Sequence, residues 1–183
     1  MMNCSTRRNR GFTLVELLIV AIILAILAAI VVPQFASTTN DAEESALRAN
    51  LAAVRSALDL YRQQHGEYPG VSASSGGACT GTAGTGAAGN VQAVIDQLTR
   101  YTNQSGQSCS APDAGYTFGP YLKEDNLPAN PVTKSGVVAI VTTGDLNMAA
   151  DGGGLGWKYD STSGKFIAND SNTDGNGDAY STY

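Results

Sequence analysis

Glu16 is a carboxylate set inside an apolar run that extends from Phe12 to Val32. On insertion scales a charge of this kind near mid-helix in lipid costs about 2.5–3.5 kcal/mol, so it calls for a cationic partner. Just before the run stand Gly11 and a short basic stretch with Arg7, Arg8 and Arg10, and no acidic residue precedes Glu16. A basic stretch, a glycine and an apolar run with one buried-type charge define a membrane boundary at which chemistry can be directed.

A second constellation lies near the other end. Asp170, Asn172, Asp174, Asn176 and Asp178 place oxygen-bearing side chains at alternate positions, with Gly175 where a calcium loop makes its tight turn. The pattern follows the first nine positions of an EF-hand-like loop, whose hard oxygen ligands suit Ca2+. At the twelfth position Ser181 replaces the usual bidentate glutamate, and no flanking helices are evident. Two readings stand side by side: a Ca2+ site completed by water or by another carboxylate of the head, and an acidic glycine-rich turn.

Of three cysteines, Cys4 falls in the basic stretch and leaves Cys79 and Cys109 for the remainder. That count suits one disulfide in an oxidising compartment, and no Cys-x-x-Cys spacing suggests zinc or a redox motif. The alternative is two free or buried thiols. His65 is the only histidine, so a Ser-His-Asp or Cys-His arrangement would have to use it. No spacing singles out a pair of catalytic carboxylates. The chain is accordingly read as non-enzymatic, with a signal-anchored periplasmic enzyme as the rival from another class.

These groups need elements to carry them. As a helix, Phe12 to Val32 rises about 31 Å, close to the roughly 30 Å of a bilayer's hydrocarbon. The arginines before it would stay cytoplasmic by the positive-inside rule, placing everything after Val32 outside the cytoplasm. A secretory signal peptide shares the basic-then-apolar pattern, but here the run is long, no Ala-x-Ala pair closes it, and Glu16 interrupts it. Pro33 removes a backbone donor and is expected to kink or loosen the helix.

Beyond Pro33, Leu47, Leu51, Val54, Leu58 and Tyr61 recur at helical spacing along one face. Gly66 and Pro69 then stop the helix, giving one element from about Phe12 to Gln64. Residues 70–90 are rich in Gly, Ala, Ser and Thr, a composition expected to form a flexible surface loop. A short helix follows, with Val91, Val94, Ile95, Leu98 and Tyr101 on one face. Val137 to Thr143 reads as a strand, and Trp157–Tyr159 with Lys165–Ala168 as a hairpin. The fold class is α+β: a long N-terminal helix packed on a small antiparallel sheet.

Composition limits the partners. The net charge is -5, and loss of residues 1–11, which hold three arginines and no acid, takes it to -8. An acidic body lacks the clustered Lys and Arg that phosphate-backbone binding needs, so no nucleic acid is expected.

The run Gly11-Phe12-Thr13-Leu14-Val15-Glu16 resembles the processing site of type IV prepilins and type II secretion pseudopilins. The resemblance implies a leader of residues 1–11 that a prepilin peptidase removes after Gly11, followed by methylation of the new Phe12 amine. It further implies a membrane and filament-core helix over 12–36 and an extracytoplasmic pilin-like head over 37–183. Glu16 would then meet the Phe12 ammonium of an adjoining subunit in a helical homo-oligomer. Other partners implied are further pseudopilins or minor pilins and inner-membrane assembly proteins. Leu58-Asp59-Leu60-Tyr61-Arg62 with Gly66-Glu67-Tyr68-Pro69, Gly119-Pro120-Tyr121-Leu122, Leu127-Pro128-x-Asn130-Pro131 and Gly156-Trp157-x-Tyr159 are also similar to major pseudopilins. Residues 70–115 have no counterpart in that resemblance. It implies a secretion pseudopilus, with a surface pilus for adhesion or motility as the alternative, and a head that can carry calcium near its C-terminus.

Overall fold

A computed structural model describes residues 12–183. Cys4, Arg7, Arg8, Arg10 and Gly11, and with them the expected cleavage position, lie outside the described residues. The chain divides into two compact units, one ending at Ala42 and the other running from Glu43 to Tyr183.

Helix α1 spans Leu14–His65, and its backbone is helical through Pro33. In the first unit the segment Leu14–Val32 is long and apolar enough to cross a membrane once, and every one of its side chains is exposed. In the second unit the periodic stripe is buried: Leu47, Leu51, Val54, Leu58 and Tyr61 are at most 1% exposed. Each such side chain contributes about 1.5–3 kcal/mol on burial. Gly66 ends the element with a positive φ of 82°, its N–H bonded to the Arg62 carbonyl.

Helix α2 (Val91–Thr99) starts where Asn90 accepts a hydrogen bond from the Gln92 amide at 3.1 Å. Val94 and Leu98 enter the core, and the amides of Tyr121 and Leu122 satisfy the Leu98 carbonyl at 2.8 and 2.9 Å. Strands β1 (Tyr101–Thr102) and β2 (Ser108–Cys109) form a short antiparallel hairpin. Tyr101 therefore belongs to a strand and not to the α2 face.

The larger sheet has the order β3-β4-β5, with β3 at Val138–Val141, β4 at Trp157–Asp160 and β5 at Phe166–Ala168. It is mixed and not wholly antiparallel: β4 and β5 form the expected hairpin, whereas β3 pairs with β4 in parallel. The residues between Val141 and Trp157 are numerous enough for the crossover that a parallel pair requires, and a tight turn is not.

The short motifs of the head bond to one another. Trp157 donates Nε1–H to the Pro128 carbonyl at 2.7 Å, Asn130 donates Nδ2–H to the Gly156 carbonyl at 2.8 Å, and Tyr159 donates its hydroxyl to the Pro69 carbonyl at 3.0 Å. Gly156 is required there, because a Cβ would strike the Ser135 carbonyl. Arg55 donates from Nε and Nη2 to the Phe166 carbonyl at 3.1 and 2.8 Å.

Residues 70–90 are not the loose loop their composition suggests. Ser74 is wholly buried, its hydroxyl 2.8 Å from Asp96 Oδ2, and Cys79 is bridged to Cys109. Polar bonds and a covalent link do the work that apolar burial does elsewhere.

Candidate processing and assembly site

Thr13 is the last residue before α1, and Glu16 lies in the helix's first turn. Thr13 Oγ1 accepts the Glu16 amide at 3.2 Å, while Glu16 Oε2 accepts the Thr13 amide at 2.9 Å and its hydroxyl at 2.8 Å. This is a reciprocal capping box, which satisfies donors that the first turn would otherwise leave free. Its sequence signal is Thr-x-x-Glu ahead of an apolar run, at 13–16, and it gives Glu16 a partner within its own helix besides any ammonium. The helix consequently begins at Leu14, and Phe12 precedes it, 77% exposed.

The site thus combines a carboxylate oriented by its own helix start, an exposed aromatic residue four positions earlier, and an unpartnered apolar surface over Leu14–Val32. Negative charge is favoured at a helix N-terminus by the macrodipole. A nearby cation would find this carboxylate already aimed toward the chain's N-terminal side.

In the acidic loop, Asp170 Oδ1 accepts the Asn172 amide at 2.9 Å and Asn172 Nδ2–H at 2.8 Å, while Asp170 Oδ2 is buried without a hydrogen-bond partner. Asp174 Oδ1 accepts the amides of Asn176 and Asp178, both at 2.8 Å, and its Oδ2 lies 2.6 Å from the Tyr183 hydroxyl. That hydroxyl bond, with the amide donors, lowers the Asp174 pKa from 3.8 to about 2. Among the described residues no three His, Cys, Asp or Glu side chains converge as a metal-binding group. The oxygen donors suit a hard cation in chemistry, and Asp170 Oδ2 is buried among them without a donor.

His65 sits at the end of α1 with Nε2 3.0 Å from the Thr102 hydroxyl and 3.1 Å from the Tyr121 hydroxyl. Its ring stacks on Tyr61 at 4.0 Å. Burial lowers its pKa. Sequence reasoning missed two buried acids. Asp96 accepts from Ser74, Thr85 and Gln92, and Asp160 from the amides of Asp145, Thr162 and Ser163. Burial disfavours both charged forms, yet these donors outweigh it and lower both pKa values. An acid in a short helix or beside a turn reads as solvated, and nothing in its immediate sequence marks it otherwise.

Residues 6–32 match the family described as the prokaryotic N-terminal methylation motif, which covers the capping box and the apolar run. The chain carries a prepilin methylation motif. It is similar to type II secretion system core protein G of Pseudomonas aeruginosa, 41% identical over 63 residues, which are 34% of this chain and 44% of that protein. The same-named proteins of Klebsiella pneumoniae, at 38% over 63 residues, and Escherichia coli, at 34% over 65, each match over 45% of their length. The matches span less than half the length of these curated relatives. No solved structure matches the chain. With the prepilin motif, the long N-terminal helix and the small sheets, the fold is α+β and pilin-like.

Proposed function

We propose that this chain is a structural subunit of a type IV pilin-like filament, the pseudopilus of a type II secretion system, and that it does no catalysis. The observation that carries the reading is Glu16, fixed by Thr13 at the head of an exposed apolar helix and inside the methylation motif. Prepilin peptidase would cut after Gly11 and free the Phe12 amine for methylation. Before assembly the segment Leu14–Val32 would lie in the inner membrane, with the N-terminus cytoplasmic and the head in the periplasm. After assembly the same surface would pack against other copies, the Phe12 ammonium of one subunit meeting Glu16 of another. Further pseudopilins and inner-membrane assembly proteins would complete the machine.

Calcium belongs to this proposal as a ligand of the head. Asp170, Asn172, Asp174, Asn176 and Asp178 would supply its oxygens, and the ion would neutralise the repulsion among three carboxylates.

The test is the mass of the native protein and its assembly in the same cells. A chain that starts at a methylated Phe12 and forms filaments dependent on secretion-system assembly proteins supports the reading. A mature chain starting at Met1 despite active peptidase overturns it, and filaments built only by surface-pilus machinery would move the chain to the pilus class.

A further inference from the structure

From Ser72 to Asn90 the chain holds no apolar side chain larger than alanine except Cys79. The segment nevertheless closes over α2. Asp96 Oδ2 receives the Ser74 hydroxyl at 2.8 Å, the Thr85 amide at 2.9 Å and the Gly86 amide at 3.4 Å. On the other side it is laced to β2 and the residues beside it. The Ser108 amide donates to Ser74, the Gly84 amide to Ser108, and the Ser110 amide to Thr82, at 2.8–3.0 Å. Gly84 and Gly86 approach so closely that a Cβ would strike Ser108 and the Ala93 backbone.

With so little apolar burial, the covalent link between Cys79 and Cys109 carries much of the closure. Its two ends differ. Cys109 is wholly buried in β2, whereas Cys79 is only half-buried on the loop itself.

We propose that this bridge is a redox latch on the 72–90 loop, and that Cys79 is the sulfur at which a dithiol–disulfide oxidoreductase opens and closes it. In opening, a thiolate of the partner attacks Cys79 Sγ. A partner–Cys79 disulfide forms, and the Cys79–Cys109 bond breaks with Cys109 leaving as thiolate. The partner's second thiolate then displaces Cys79, so the partner is oxidised to its disulfide and both cysteines are reduced. Closing is the reverse exchange with the oxidised partner, and electrons balance in both directions. Attack at Cys109 is blocked because that sulfur offers no surface. With the latch open, Asp96 loses the Ser74, Thr85 and Gly86 donors and keeps only Gln92 and Arg100 of its own segment.

The proposal is independent of processing at Gly11, so it can fail while the filament reading holds. The test uses the full chain in detergent. Oxidised protein is exposed to glutathione, quenched in acid and mapped by peptide, and the adduct should fall on Cys79 at least about tenfold over Cys109. Amide exchange is then compared before and after reduction. Gly84, Thr85, Gly86 and Ser108 should exchange at least about tenfold faster, with Tyr159 and Ile167 unchanged. A Cys79→Ser, Cys109→Ser double variant should reproduce the reduced pattern. Adduct on Cys109, unchanged loop exchange, or acceleration of all amides together would each overturn the latch.

Discussion

The Tyr183 hydroxyl lies 2.6 Å from Asp174 Oδ2, and the two groups move each other's ionisation in opposite directions. Burial, together with the bond to Asp174, raises the Tyr183 pKa to about 12, and the tyrosine holds Asp174 at about 2. Because the folded Asp174 value is depressed from 3.8, its contribution to stability is complete above that pH and is lost as pH falls toward about 2. Wild type should therefore lose melting temperature more steeply than Asp174→Asn between pH 4 and 2, and Tyr183→Phe, whose Asp174 is less depressed, should lose less in total over the same window. Equal slopes in thermal melts across that window would dismiss the pair as a stabilising unit.

Calcium should raise the melting temperature of the same protein. A ligand that binds only the folded state stabilises it by RT ln(1 + [L]/Kd), about 0.4–1.4 kcal/mol at a one- to tenfold excess over Kd. With Ser181 at the twelfth position, Kd should fall around 10⁻⁴–10⁻³ M, as in extracellular modules. Melts in chelator and in millimolar calcium, alongside Asp170→Ala, measure this. No difference in the wild type reduces the loop to an acidic turn.

Replacing Glu16 separates anchoring from assembly. Glu16→Ala should still insert and be processed, because removal of a charge makes the apolar segment easier to bury. Filament abundance by electron microscopy should fall at least about tenfold, the effect of losing roughly 1.4 kcal/mol per contact. Thr13→Ala, which removes half of the capping box, should cost about 0.5–2 kcal/mol at the helix start and give an intermediate phenotype. Wild-type filament levels in Glu16→Ala would make the carboxylate a helix cap and nothing more.

Gly11→Leu should abolish maturation, since a branched side chain would enter the narrow site of the peptidase. The readout is the intact mass, which should retain residues 1–11 and lack the methyl group. Normal trimming of this variant would contradict the proposed cleavage position.

Asp96→Ala should destabilise the head through its loop. The substitution strands the Thr85 amide and removes the acceptor of the Ser74 hydroxyl, while the Gly86 amide keeps Ser74 Oγ at 2.9 Å; a buried donor without a partner costs about 1–3 kcal/mol. Denaturant titration of the oxidised protein should show this loss, and a change below about 0.5 kcal/mol would place the donors in water.

Much of this was written in local pattern. The Leu47-to-Tyr61 stripe could only be a core face, and the Trp157 hairpin announced itself through aromatic residues around a Ser-Gly turn. The parallel pairing of β3 with β4 was not legible, because direction depends on where a long connection runs. Residues 70–90 mislead through composition: low apolar content implies looseness only when nothing else holds the chain, and here Asp96, 22 residues beyond Ser74, and Cys109, 30 beyond Cys79, supply the hold. At the N-terminus Thr13 and Glu16 spell out a cap, so the same carboxylate that is costly in lipid also has an ordinary helical role.

Arg55 has a consequence beyond the contacts it makes. Phe166 belongs to β5, the outermost strand of its sheet, and an unpaired carbonyl there is a template on which a strand from another molecule can add. The guanidinium occupies that carbonyl with two donors, leaving an incoming backbone amide nothing to bond. A second copy of this sheet that approached along β5 would find that point of edge-to-edge pairing already taken.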